Sequence, residues 1–240
     1  MPSNQVSTEK QIETFFTEIS QFPLFKDLDK QRLQRLFTGA KLQASKHRQN
    51  LYKVGDQAKK FSVVLRGAYK LVRSTPKGED VIVYFAAPGD AIAALVMSQD
   101  NANYPVSAVA MGPSLVLEIP RETYVSFWAQ DPQIAMHLQS LLYSRMILLQ
   151  DEKLFNKSPL EVKIAHLILQ LVEKYSAESD GILPIPLTRR EIADSLGASV
   201  ESVIRIMSDW SHKKIIATSD QHIEVLETGR IAELIRRQAQ

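Results

Sequence analysis

The spacing of apolar residues changes period once along this chain, and the change divides it into two kinds of structure. Two short segments, 12–19 and 29–37, have helical spacing. Apolar residues then fall into short runs at 49–56, 60–67, 68–73, 80–85, 104–110 and 115–119, punctuated by Gly55, Gly67, Gly78 and Gly89. Runs of this length between glycine-bearing turns predict strands that close into a barrel or sandwich. From Asp131-Pro132 onward the period is three to four, because proline suits the first turn of a helix and neither glycine nor proline interrupts before Pro159. Ile134, Leu138, Leu141, Met146, Leu148, Leu149 and Phe155 make a nearly heptad stripe on this helix, broken by Arg145 and Glu152. A short linker, 156–159, leads to a further helix at 160–175, and the stretch 176–186 is turn-rich.

The most informative stretch follows, TRREIADSLGASVESVIRI from Thr188 to Ile206. Thr188 is placed to cap a helix while Glu191 reciprocates three residues later. Ile192, Ala193 and Leu196 are its expected inner face, Gly197 supplies the change of direction, and Ser199 is placed to cap the next helix. On that second helix Val203, Ile206 and Trp210 are the expected buried stripe, leaving Glu201, Ser202 and Arg205 on other faces. Such a helix can enter a major groove, where a guanidinium binds guanine O6 and N7 and a carboxylate accepts from cytosine N4. The same spacing also suits an ordinary helical hairpin. What comes next favours the first reading: Lys213-Lys214 at the helix end, a short strand 215–218, a turn Ser219-Asp220-Gln221, and an alternating strand 222–225. A hairpin directly behind a recognition-type helix describes a winged helix-turn-helix, whose wing and lysines can touch phosphates. A last helical segment runs over 226–238.

On these residues the chain resembles the CRP/FNR family of bacterial transcription regulators. The resemblance implies an α+β chain with three parts. Residues 1–128 would form an effector-sensing β-roll (jelly-roll) of cyclic-nucleotide-binding type, 129–157 a dimerisation helix, and 158–240 a winged helix-turn-helix DNA-binding domain. It implies a homodimer on a palindromic promoter site, with recognition helices about 34 Å apart, and RNA polymerase as a partner. Val200-Glu201-Ser202-Val203-Ile204-Arg205 matches the family's recognition pattern. Val200 stands where the CRP branch has arginine, which brings the chain closer to the FNR/DNR branch and implies a TTGA-type half-site. Ile204 departs from the small serine usual there. The residues implied to meet DNA are Thr188, Arg189, Ser199, Val200, Glu201, Ser202, Arg205, Lys213 and Lys214. Glu201 and Arg205, four apart, are expected to hold each other when DNA is absent.

Composition narrows the chemistry. The chain has 240 residues, 45% of them hydrophobic, and enough length for two modest cores. It has no cysteine, which excludes disulfides, thiolate nucleophiles and cysteine-ligated iron-sulfur clusters. Without a signal segment or an eighteen-residue apolar run, a soluble cytoplasmic protein without membrane association is expected. No glycine-rich phosphate loop, His-Glu-x-x-His or GxSxG motif points to an enzyme. Residues 159–240 carry ten Lys or Arg against twelve Asp or Glu, a balance of minus two. DNA must therefore be met by a local arrangement, with Arg189, Arg190, Lys213 and Lys214 toward the backbone, and not by bulk charge.

The effector is less legible. Pro88-Gly89-Asp90 fits the family, but Ala93-Ala94 stands where a Gly-Glu pair binds ribose, and Tyr104-Pro105 where arginine and serine bind the cyclic phosphate. A buried anion needs a fixed cation or converging donors. The candidate pocket is Ala93, Ala94, Tyr104, Tyr143 and Met146. Residues 91–110 look like the nitric-oxide-responsive regulators of the FNR/DNR branch, in which haem is the proposed cofactor. His47, His137, His166, Met97, Met111, Met136, Met146 and Tyr143 are the candidate iron ligands, none singled out by spacing. A regulator with an unidentified effector and a module that no longer binds DNA are the other readings. Calorimetry with cyclic AMP is expected to give no tight, saturable heat; such binding in the β-roll would overturn the pocket assignment.

Overall fold

The computed structural model describes residues 14–76, 78, 80–175 and 181–236. The chain divides into two compact units, residues 1–71 with 85–145 and residues 72–84 with 146–240. Among the described residues no helix is long and apolar enough to cross a membrane.

The amino-terminal part opens with helices α1 (Phe16–Ile19) and α2 (Lys30–Leu36). Eight strands follow: β1 (Lys41–Ser45), β2 (Asn50–Tyr52), β3 (Lys60–Arg66), β4 (Tyr69–Ser74), β5 (Asp80–Ala86), β6 (Ala91–Ile92), β7 (Ser107–Ala110) and β8 (Ser114–Pro120). They form two four-stranded sheets in the orders β1-β8-β3-β6 and β2-β7-β4-β5, a β-roll. β3 lies inside its sheet, and Phe61 through Leu65 are all buried, which explains an apolar run in place of alternation. Gly67 (φ +74°) turns β3 into β4. A Cβ there would lie 2.6 Å from the Pro113 carbonyl oxygen, so no side chain fits.

The expected helix at 12–19 is found as Phe16–Ile19, its first residues lying outside the described ones. β1 was not expected; it pairs antiparallel with β8 from Lys41↔Glu118 to Ser45↔Ser114. Of its five side chains only Ser45 is buried, its Oγ accepting from the Tyr69 hydroxyl at 2.9 Å, so β1 carries no apolar alternation and is held mainly by the ladder.

Trp128 is the largest fully buried side chain of this unit. Its ring stands edge-on to Phe61 at 4.6 Å and to Phe25 at 5.6 Å, and its indole N–H donates to the Leu36 carbonyl at 2.7 Å. Three residues on, Asp131 begins the long helix α3 (Pro132–Leu154). Its Oδ1 accepts from the Gln133 and Ile134 N–H groups at 3.0 and 3.1 Å, while the Arg32 guanidinium grips both carboxylate oxygens at 2.7–3.1 Å. Farther along α3, His137 Nδ1 meets the Leu24 carbonyl at 2.8 Å.

The second unit contains α4 (Leu160–Tyr175), α5 (Arg189–Leu196), α6 (Val200–His212), the hairpin β9 (Ile216–Ser219) and β10 (His222–Val225), and α7 (Thr228–Arg236). The hairpin turns through Asp220 and Gln221, both at positive φ, as a two-residue turn that matches strand twist requires. The residues before α5 close against it, with Leu183 N–H on the Ile223 carbonyl at 2.9 Å and Leu187 N–H on that of Gln221 at 2.8 Å. At the end of α4, Lys174 stands over the rings of Tyr84 and Tyr175, 4.4 and 4.5 Å from their centres.

Burial acts to raise the Asp131 pKa, but Arg32 and the two backbone N–H groups outweigh it and hold the carboxyl below its ordinary value. A depressed folded pKa contributes stability that is present above the unfolded value, about 3.9, and is lost as pH falls through the folded one. Asp131→Asn should therefore flatten the acid limb of stability against pH. Chemical denaturation across pH 2–6 checks this, an unchanged acid limb counting against the Asp131 anchor.

Candidate nucleic-acid interface

The helix pair α5–α6 is held by local bonds that the sequence foreshadows. Thr188 Oγ1 accepts from the Glu191 N–H at 3.2 Å, and Glu191 Oε2 accepts from the Thr188 N–H at 3.0 Å, a complete capping box with Glu191 buried. Gly197 ends α5 at φ +60°. Ser199 Oγ accepts from the Ser202 N–H at 3.3 Å and donates to Ser202 Oγ at 3.0 Å. That leaves the Ser202 hydroxyl hydrogen free for an outside acceptor.

The buried stripe of α6 is Val203, Met207 and Trp210. Ile206, expected in it, is only half-buried, and Leu196 of α5 likewise lies at the margin. Spacings of four and three from Val203 track the 3.6-residue turn, which carries Met207 inward and Ile206 to the side. The Trp210 indole N–H donates to Glu161 Oε1, at the start of α4, at 2.9 Å. With that face fixed, Glu201, Ile204, Arg205 and Ser208 stand exposed on the other. Ile204, which the sequence reading set within the recognition pattern in place of a small serine, belongs to this outward set; an exposed methyl on such a helix suits the thymine methyl. Glu201 and Arg205 make no ion pair or hydrogen bond with the described residues, contrary to the expected mutual hold. Both are left open to a partner.

The remaining candidates divide by what already engages them. Thr188 and Ser199 are committed to capping, and Val200 is half-buried. Arg189 donates to Thr218 Oγ1 of the wing at 3.1 Å, and burial pushes its guanidinium pKa down. Arg190 lies 3.9 Å from Asp194, one helical turn on. Lys213 is paired with Asp209 at 2.7 Å, whereas the exposed Lys214, at φ +54°, makes no ion pair with the described residues. Of the candidates outside α6, Lys214 is therefore the cation most available to phosphate.

In the β-roll, Ala93 adopts the left-handed conformation (φ +65°), and Ala94 is buried at the start of the 3-10 turn Ala94–Ser98. Tyr104 is buried with its ring stacked on Tyr52 at 3.9 Å and its hydroxyl donating to the Lys60 carbonyl at 2.6 Å. Burial raises both phenols above their ordinary range. Tyr143 and Met146 of α3 are instead exposed, 62% and 49%. Two arginines that the sequence reading did not weigh for this pocket bear on this part of the roll, and one of them, Arg145, acts electrostatically on Tyr52. Arg121 pairs with Asp100 at 2.6 Å, and its buried Nε has no hydrogen-bond partner. Asp100 already matches its charge.

The haem candidates are distributed over separate elements. His47 and His137 each bond a backbone carbonyl through Nδ1, Met97 and Met111 are core residues, and Met136, Tyr143 and Met146 face outward. Among the described residues no three His, Asp or Glu gather as a metal site.

Comparison with known proteins agrees with both halves of the chain. Residues 162–234 match the family model of a Crp-like helix-turn-helix domain, and residues 43–131 that of a cyclic nucleotide-binding domain. Transcriptional activator protein Anr of Pseudomonas aeruginosa is 28% identical over 190 residues, spanning 77% of this chain and 76% of its own. Nitrogen fixation regulation protein FixK of Bradyrhizobium diazoefficiens is 27% identical over 177 residues, 72% and 73% of the two chains. The structure of FixK2 from Bradyrhizobium japonicum shares the fold, with a TM-score of 0.69 at 20% identity over 81% of this chain and 96% of that one.

Thr188→Ala removes one half of the capping box and should cost about 1 kcal/mol of stability. Glu191→Ala should cost more, because it also strips a buried carboxylate from its donors. Thermal unfolding of the two variants checks the order, and equal midpoints with the parent would show that the box carries no weight.

Proposed function

From a chain that belongs to the CRP/FNR family of DNA-binding transcription regulators, we propose a homodimer that binds a two-fold symmetric promoter site and works with RNA polymerase. In this reading residues 1–128 sense an effector, 129–157 pair the two chains, and 158–240 read DNA. The observation that carries the dimer is the outward face of α3. Leu142, Met146 and Leu149, spaced four and three, are exposed together with Tyr143 and Leu154. An apolar row of this kind on a 23-residue helix suits a second copy of the same helix. Two-fold pairing along α3 presents two recognition helices to successive major-groove faces.

The free pair on α6 supports the reading of bases. Arg205 donates two hydrogen bonds to a guanine, Glu201 accepts from a neighbouring cytosine, and Ile204 packs on a thymine methyl. Ser202 and the amino end of α6 bond a phosphate and fix the register, with Lys214 on the backbone beside them. The half-site is of the TTGA type. The effector is a molecule other than cyclic AMP, since Ala93 and Ala94 bring only methyl groups to the ribose position.

Two experiments check these assignments. Leu142→Asp combined with Met146→Asp should convert the dimer to monomer in sedimentation at micromolar concentration; a parent protein that sediments as monomer would remove the premise. Site selection from random duplexes should yield a palindrome, and Arg205→Ala should cost about 1–3 kcal/mol per half-site and flatten the preference at its guanine. Lys214→Ala should instead weaken all sequences alike and lower the salt slope. Equal enrichment of one motif by the parent and Arg205→Ala would refute the base assignment.

A further inference from the structure

A cavity of about 340 Å³ opens where the end of α3, the outer face of α4 and the end of α5 meet. Its volume is in the range of small-molecule sites. Lys163, His166, Leu167 and Gln170 recur on one side of α4 at spacings of three and four, and all four are half-buried there. The side of α4 that packs into the unit's core is a different one, carrying Val162, Ala165, Ile168 and Leu169. Leu149, Phe155 and Leu196 add apolar wall. The α4 side is therefore lined in the manner of a binding site, with Lys163 its one charged residue.

The polar groups there are arranged for an anion. Gln170 Nε2 lies 2.6 Å from His166 Nε2, so the amide donates to that ring nitrogen and the imidazole carries its hydrogen on Nδ1. The ring packs against Phe155 with centres 4.3 Å apart. Burial holds the His166 pKa below its ordinary value against the opposing pull of Asp151 and Glu173, which leaves a neutral ring. Neither its Nδ1–H nor the Lys163 ammonium has a hydrogen-bond or ion-pair partner among the described residues. Lys153 stands at the rim, and the single acid of the lining, Glu152, has its carboxyl pushed up by burial.

We propose that this cavity is a second ligand site, distinct from any site in the β-roll, and that it takes a small aromatic carboxylate. The carboxylate accepts from Lys163 and from the His166 Nδ1–H, and the ring lies among Phe155, Leu167 and Leu196. Because Ser195 and Leu196 belong to α5, the occupant bridges the first helix of the DNA-reading pair to the end of the long helix. Occupancy thus acts on the placement of α5 and α6.

Calorimetry of the full chain with phenylacetate, and with phenylacetamide as the neutral control, tests the site. Saturable binding of the acid but not the amide is expected, weakened about tenfold or more in Lys163→Gln. Leu167→Trp, which fills the cavity, should abolish it independently, and circular dichroism melts confirm that each variant is folded. Absence of phenylacetate binding at millimolar concentration, equal binding of the amide, or unchanged binding in both folded variants would overturn the proposal. The readout needs no DNA, so failure of the site selection would leave this result standing, and the reverse.

Discussion

The DNA-reading half depends on how one indole is buried. Trp210 is fully enclosed, and an enclosed indole N–H without a partner costs about 1–3 kcal/mol. Glu161 supplies that partner from the first turn of α4, so the hydrogen bond ties the far end of α6 to a different helix. Together with Val203 and Met207 it fixes the rotation of α6 about its own axis. Rotation decides which side chains α6 presents: Glu201, Ile204 and Arg205 are outward because Val203, Met207 and Trp210 are buried. The capping box at Thr188 and the Ser199 cap set where the two helices begin, but not which way they face.

The long helix obeys the opposite logic. Its only buried side chains are Ile134 and Leu138, in its first two turns, where Asp131 and His137 also tie it to the amino-terminal helices. Beyond Leu138 the apolar residues continue, with Leu141, Ile147 and Leu148 half-buried and Leu142, Met146, Leu149 and Leu154 exposed. A helix of 23 residues spans about 35 Å, and the proposed pairing with a second copy uses the exposed part beyond Leu138.

Local features were the ones legible in the sequence. The capping box, the Gly197 turn, the hairpin turn and the span of α4 follow from bonds between residues a few positions apart, and each appears where its residues predicted. Features created by distant contacts were not. β1 exists because β8 offers it a ladder, and the two-residue β6 because β3 does. The exchange of Ile206 for Met207 in the buried stripe follows from the 3.6-residue turn counted from Val203, with Trp210 and its bond to Glu161 fixing the same face. The engagement of Arg189 by Thr218 and of Arg121 by Asp100 joins residues 29 and 21 apart in sequence, and no spacing rule reaches them. The His166 cavity had no signal beyond a histidine among leucines, since its walls come from three helices.

Hydroxyl-radical footprinting of the full chain on its selected duplex tests the central claim most directly, because it reads dimer geometry and groove placement together. Two protected patches of equal strength, related by two-fold symmetry on one face of the duplex and centred about one helical turn, ~34 Å, apart, are the predicted result. A single patch, or protection that runs without symmetry along the backbone, would contradict it.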